Sequence, residues 1–333
     1  MTINSKMTIK NKIIETFEKS NELTAKELIS SIGVSKQMVH LVLSELVAKQ
    51  YLEKLGRVPK TIYRKLKATP LKPNGITLEV KDAEKEFLTK HFLMISDMGN
   101  LLEGIEGFQL WCEKRNEPVL KTLQEFIKTK QKYQSFYNNE GIIDGSHKLK
   151  TTYGEKIFLD EIYYLDFYAI ECFGKTRLGT LLHYAKQGQN KFLMNRMMNE
   201  IKDRIINFIK LNEIDAVGFV PPTIRREVQI MKFIQESLNL NFPILEIKKI
   251  SGIIPIPQKS LSKLDERIKN AENTFAVTEQ RKFKKVLLID DAVGSGSTLN
   301  QIAEKIKNKE VAKTVLGLAI VGSFKGFDVI TDI

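Results

Sequence analysis

The stretch Lys285-Val286-Leu287-Leu288-Ile289-Asp290-Asp291-Ala292-Val293-Gly294-Ser295-Gly296-Ser297-Thr298-Leu299 decides the fold. Its run of aliphatic residues reads as a strand buried on both faces, which belongs in a parallel sheet. Two adjacent carboxylates, Asp290 and Asp291, are expected to end that strand. A Gly/Ser/Thr loop then leads into a helix expected over Leu299–Ile306. Such a loop presents backbone N–H groups and hydroxyls at a helix N-terminus, an arrangement that favours a phosphate. Carboxylates directly before it would repel a bare phosphate. They make sense against sugar hydroxyls or a Mg2+ ion, with the phosphate one turn further on. A Walker A loop needs Gly-Lys-Ser/Thr, and no lysine lies between Gly294 and Thr298. A dinucleotide loop needs a third glycine where Leu299 stands.

The strand, the acid pair and the Gly/Ser/Thr loop together resemble the phosphoribosyl-pyrophosphate (PRPP) loop of type I phosphoribosyltransferases. The resemblance implies that Asp290 and Asp291 hold the ribose 2′- and 3′-hydroxyls. It also implies that Val293, Gly294, Ser295, Gly296, Ser297 and Thr298 cradle the 5′-phosphate. Further segments fall in family order: Phe173–Arg177, Tyr184–Gly188, Asp215–Pro222, Ile254–Leu261, Arg267, Asn270 and Phe275. With them, residues 165–325 look like the ComF-type branch of these enzymes.

The strand Ala216–Val220 runs into Pro221-Pro222, with Arg225 and Arg226 just beyond. Cationic donors are thus expected at the C-terminal edge of the sheet, where open α/β folds bind ligands. By resemblance this is the pyrophosphate loop, with Lys186 a further candidate, and Gln258 and Arg267 belong to a segment that covers the site. Catalysis would displace pyrophosphate from ribose C1, with Mg2+ (brought on PRPP and touching Asp290 and Asp291) and cations stabilising the leaving group. No zinc is expected: the zinc ribbon common at the front of ComF-type chains is missing. Arg226-Glu227-Val228-Gln229-Ile230 replaces the usual Arg-Gly-Phe-Asn-Gln, and Gly294 and Ser295 replace the usual threonines. These departures bear on transfer rather than on the fold.

Working outward, the chain has 333 residues, 42% apolar and 28% charged, which suffices for a sizeable core in more than one domain. Cys112 and Cys172 make neither a disulfide framework nor CxxC spacing. The first residues lack the apolar segment of a secretory signal, and no run approaches the ~18 apolar residues of a membrane span. A reducing, cytoplasmic setting without a membrane partner is the expectation.

The net charge is +12, and an excess of this kind predicts an anionic partner. Residues 1–70 hold +7 of it, with 13 Lys/Arg against 6 Asp/Glu. Ile9, Ile13, Ile14 and Phe17 repeat at helical spacing. Thr24 and Glu27 form a capping box that opens the helix Ala25–Ile32, and Gly33 breaks it. Ser35 caps a third helix through Val39, Val42, Leu43, Leu46 and Val47. Tyr51–Leu55 and Thr61–Arg64 flank a turn and read as a hairpin. The order resembles a winged helix-turn-helix, whose second helix of the pair lies in the major groove. Ser35, Lys36, Gln37 and His40 would then face base edges, and Arg57, Lys60 and Arg64 phosphates. A protein-interaction module with solvated charges is the competing reading.

Residues 71–75 read as a linker. Beyond it, Phe87, Leu88, Phe92, Ile95, Leu101, Leu102 and Ile105 continue one helical period to Trp111. A second amphipathic helix after Pro118 uses Leu120, Leu123, Phe126 and Ile127. Their aromatics are expected in the core, and the pair of helices braces the domains or supports a homodimer.

The expected architecture is therefore α/β: a DNA-binding winged helix-turn-helix (1–70), a helical connector (76–150) and a type I phosphoribosyltransferase fold (151–333), its parallel sheet flanked by helices. The leading functional expectation is a PRPP-dependent transferase tethered to DNA. The alternatives are a non-catalytic transcription regulator sensing PRPP or a nucleotide, and a nucleic-acid-tethered effector of a bacterial defence operon.

Overall fold

The computed structural model describes residues 8–48, 51–56, 61–65, 80–222, 224, 226–250 and 275–323. The chain divides into two compact units, Met1–Leu78 and Glu79–Ile333.

In the first unit the helical spacing of Ile13 and Phe17 produces α1 (Ile9–Lys19), which buries both. β1 (Glu22–Thr24) follows, then α2 (Ala25–Ile32), α3 (Lys36–Ala48), β2 (Leu52–Leu55) and β3 (Ile62–Lys65). The capping box forms as the spacing predicts: Glu27 N–H donates to Thr24 Oγ1 at 3.2 Å, and Thr24 N–H donates to Glu27 at 2.6 Å. Gly33 ends α2 in the left-handed region at φ 69°. The three strands form an antiparallel sheet in the order β1-β3-β2. Its first strand is absent from the sequence reading because three residues show no alternation. Ile13, Phe17, Leu28, Val39, Leu43, Leu46, Leu52 and Tyr63 close one core. Burial of each large apolar side chain contributes about 1.5–3 kcal/mol, and this drives a unit that is otherwise polar.

The second unit opens with α4 (Asp82–His91), β4 (Leu93–Ile95), β5 (Leu101–Glu103), α5 (Gly104–Glu113) and α6 (Val119–Gln134). The single helical period expected from Phe87 to Trp111 is therefore broken. A hairpin sits inside it, with Leu93 opposite Glu103 and Ile95 opposite Leu101. The Ser96–Asn100 turn closes it through Gly99 N–H to Ser96 C=O at 2.8 Å, with Gly99 at φ 78°. Apolar residues on a two-residue repeat overlapped the helical register, and the turn residues settle the matter. Leu123 and Phe126 are buried in α6, whereas Leu120 faces solvent. The aromatics do form a core: Phe92 meets Phe108 edge-on at 5.0 Å, and Phe126 lies 5.1 Å from Phe173.

Next come β6 (Ile143–Asp144), α7 (Ser146–Tyr153), β7 (Glu161–Phe167), β8 (Ala169–Ile170), β9 (Gly174–Lys175), α8 (Arg177–Gln187) and α9 (Lys191–Leu211). The rest comprises β10 (Ala216–Phe219), α10 (Ile230–Leu238), β11 (Ile247–Lys249), β12 (Phe275–Val277), β13 (Phe283–Val293), α11 (Ser297–Asn308) and β14 (Ala312–Gly322). The main sheet has the order β10-β13-β14-β7-β6. The first four strands are parallel and β6 is antiparallel to β7. This is the helix-flanked parallel sheet that Val286–Ile289 predicts, and those four residues are fully buried. Alternation sends Leu287, Ile289, Leu316 and Leu318 into one core with α8, α9 and α10. On the other face Gly317 packs against Leu299 of α11.

The hairpin and helices of residues 82–134 lie in the same unit as the sheet. Glu103 is their fastening point, with Arg177 at 2.6 Å and Arg196 at 2.7 Å, while Arg177 also reaches Glu200 at 2.8 Å. Burial alone would raise the Glu103 carboxyl, but the two guanidiniums outweigh it and hold it below the usual carboxylate range.

Candidate functional site

β13 does not stop at the acids. On the β14 side it pairs as far as Val293 opposite Gly322, so Asp290 and Asp291 lie inside the strand. On the β10 side the ladder ends sooner: Phe219 is opposite Ile289, and Val220 N–H donates to Ile289 C=O at 2.9 Å. Pro221 and Pro222 follow and cannot donate to a ladder. The expectation that the acids end the strand is thus correct on one side only. The sheet has a stepped edge, and the acid pair stands on the step.

Alternation points the two carboxylates to opposite faces. Asp291 is buried and forms an ion pair with Lys186 Nζ, from the last turn of α8. Asp290 is half-buried. Its carboxylate accepts the N–H of Asp291 at 2.8 Å, the first amide past the last β10 rung.

The loop after Val293 turns through Gly296 at φ 82°, a left-handed conformation that suits glycine, and α11 begins at Ser297. The helix cannot satisfy the N–H groups of its own first turn. Ser295 Oγ accepts one, from Ser297 at 3.4 Å, and shares a 2.7 Å hydrogen bond with Ser297 Oγ. Val293 and Ser297 are buried, while Gly294, Ser295 and Thr298 are half-buried. The start of α11 is anchored from behind by residues that sequence reasoning missed. The Tyr153 hydroxyl donates to Ser297 Oγ at 2.8 Å. Asn300, fully buried, accepts from Phe158 N–H at 2.8 Å and Leu159 N–H at 3.0 Å and donates to Lys156 C=O at 3.0 Å. A buried asparagine four residues after Gly296 is the signal that was there to read, but its partners lie more than 140 residues away in the chain.

Arg226 is held in place. It donates to the carbonyl of Lys186 and, at 2.8 Å, to Gln187 Oε1. A guanidinium on the last carbonyls of α8 sits at the negative end of the helix dipole. Lys186, Arg226 and Asp291 are therefore brought together, through the end of α8. Arg225, Gln258 and Arg267, with the Ile254–Leu261 segment and Asn270, lie outside the described residues. Phe275 is buried in β12.

In the first unit Lys36, Gln37 and His40 are exposed along the start of α3, and Ser35 Oγ accepts the Met38 N–H at 3.4 Å. Arg64, expected to face phosphate, is instead held between Glu22 at 2.7 Å and Glu53 at 3.2 Å. The hydrogen bond to Glu22 is the main reason its pKa is raised further. Arg57, Lys60 and the linker at residues 71–75 lie outside the described residues.

Among the described residues no helix is long and apolar enough to cross a membrane. Nor do three or more His, Cys, Asp or Glu side chains gather there to hold a metal.

No family model matches the sequence, and no curated protein matches it. Among solved structures, an adenine phosphoribosyltransferase is similar at 13% identity and a TM-score of 0.28, covering 41% of this chain and 73% of its own. A hypoxanthine phosphoribosyltransferase from Staphylococcus aureus gives 13% and 0.26, over 41% of this chain and 67% of its own. A purine phosphoribosyltransferase from Pyrococcus horikoshii Ot3 gives 15% and 0.24, over 41% and 87%. These are distant resemblances to the phosphoribosyltransferase fold, and the reading of the site rests on its own residues.

Proposed function

We propose that this chain is a ComF-like phosphoribosyltransferase-fold protein that binds PRPP with Mg2+ on the stepped sheet edge and nucleic acid through its first unit. The observation that carries the reading is the acid pair on the step, followed by a glycine turn into a helix N-terminus. In this reading Asp290 and Asp291 take the ribose hydroxyls, and residues 293–298 take the 5′-phosphate. Lys186, Arg225 and Arg226 meet the pyrophosphate, with Gln258 and Arg267 covering it. Mg2+ is a hard cation that usually binds through one or two carboxylates plus phosphate oxygens, a set that one carboxylate of the acid pair and PRPP would supply. Bound there, it would offset charge on the departing pyrophosphate.

Transfer to an acceptor is the first reading. A sensor that binds PRPP without turnover is the second, and one observation favours it. Lys186 and Arg226 are both engaged by the protein, on Asp291 and on the end of α8. A ligand must draw them away before they can serve a leaving group.

For the first unit, a helix pair of which α3 is the second member, backed by a three-stranded sheet, fits a winged helix-turn-helix. The +7 of residues 1–70 fits a polyanion.

Calorimetry with Mg2+ and PRPP tests the common core of both readings, and absence of binding refutes both. Pyrophosphate release over a panel of bases separates them. Binding without release leaves the sensor.

A further inference from the structure

α3 turns Val39, Val42, Leu43 and Leu46 inward. At about 100° per residue, the outward line opposite them runs through Gln37, Leu41 and Ser44, with His40 beside it. Leu41 is 68% exposed and Met38 42%. A single exposed leucine is ordinary. What singles out Leu41 is its company. It stands four residues after Gln37, on the same face, about 6 Å along the helix axis. No carboxylate occurs from Lys36 to Ser44. The next residue, Glu45, is paired with Lys10 at 2.7 Å. The face is therefore free of negative charge, and the unit that carries it is strongly basic.

We propose that α3 reads A·T base pairs in the major groove, with Gln37 bonding an adenine and Leu41 packing on the 5-methyl of a thymine within two base steps. The proposal rests on the nucleic-acid reading of the first unit. A glutamine amide sets an N–H donor beside a carbonyl acceptor, the complement of adenine N7 and N6–H in the groove, and an apolar side chain is the partner of the thymine methyl. Guanine is read by Arg or Lys. The lysine of this segment, Lys36, lies about 100° around the helix from Gln37, off the outward line, which suits a phosphate contact better than the base-edge contact expected of it. The occupant follows from charge: a face without carboxylates on a unit with 13 Lys/Arg against 6 Asp/Glu over residues 1–70 suits a polyanion.

The test uses the full chain and fluorescent duplexes at one fixed salt concentration. Alternating A·T and G·C duplexes are compared with an A·T duplex carrying deoxyuridine for thymidine and another carrying 7-deazaadenine. The expected preference for A·T over G·C is about ten-fold or more. Removal of the thymine methyl weakens wild-type binding about four-fold and leaves Leu41→Ala unmoved. Removal of adenine N7 weakens wild type and leaves Gln37→Ala unmoved. Both side chains are exposed, so unchanged melting certifies the variants. Salt-dependent binding that ignores base composition and both analogues overturns the A·T reading and leaves nucleic-acid binding standing. No binding to any duplex overturns both. A Leu41→Ala variant that changes molecular mass in solution, with DNA affinity intact, makes the face a contact between copies and also overturns the proposal.

Discussion

The two units present their functional groups in opposite ways. On α3 the candidate contacts point into solvent while the core lies behind them. On the sheet edge the candidate contacts already have partners inside the protein. Lys186 holds Asp291, Asp290 caps an amide, and Arg226 closes the end of α8. A surface built for a large polyanion can stay open, because water solvates it cheaply and the partner brings many charges at once. In the proposed reading, a site for one small anion keeps its charges compensated by one another until the ligand arrives. The same contrast appears within the first unit, where Lys36 is open and Arg64 is tied to Glu22 and Glu53.

The strongest way to break this comparison is to damage one unit alone. A Cβ on Gly179 would lie 2.1 Å from the Tyr168 carbonyl oxygen, a backbone atom that cannot move aside cheaply. Gly179→Ala is expected to cost about 3 kcal/mol or more of second-unit stability. Calorimetric melting of the full chain should show that transition fall while another persists. A single transition shifting as a whole would mean the units are not independent. Next in size, Asp290→Asn with Asp291→Asn should weaken Mg2+-PRPP binding about 100-fold by calorimetry, as two charge-assisted contacts are lost. Full affinity in the double variant would remove the ligand from the step.

Open and occupied cations can be compared directly. Lys36→Ala should weaken DNA binding and lower the slope of log affinity against log salt by about 1. Arg64→Ala should change that slope less, since Arg64 already serves two glutamates. Equal slopes would erase the distinction. Thr24→Ala removes the capping box and should cost about 1 kcal/mol, read as a lower midpoint in chemical denaturation. A last effect concerns pH. Burial, then Lys130, Lys90 and Arg177, pushes His91 from 6.5 down to about 4. The folded unit thus binds a proton less readily than the unfolded chain, and stability falls as pH drops from 6.5 toward 4. His91→Gln should flatten that limb of the melting curve.

Local features were legible in the sequence wherever the chemistry is local. Thr24 and Glu27 cap a helix through bonds across three residues, and Val286–Ile289 announce a buried strand by composition alone. The hairpin at Leu93–Glu103 was hidden because its apolar residues also satisfy a helical period, although Asp97 to Asn100 carried a turn signal. The extension of β13 to Val293 depends on how far β14 runs beside it, and no residue of β13 encodes that. The engagement of Arg226 with Lys186 joins residues forty positions apart, where sequence order says nothing of contact. The acid pair was found; its surroundings were set by topology.

The Asp291 amide gives the step a last consequence. Its hydrogen leans on the Asp290 carboxylate because β10 has ended. A ligand that takes the Asp290 oxygen bonded to this amide uncovers the amide, so acceptor and donor become available together. A hydroxyl group, being both donor and acceptor, can satisfy the two at once, whereas a ligand that only donates leaves a hydrogen stranded. Isotope exchange at that one amide would therefore report the chemical character of whatever occupies the step.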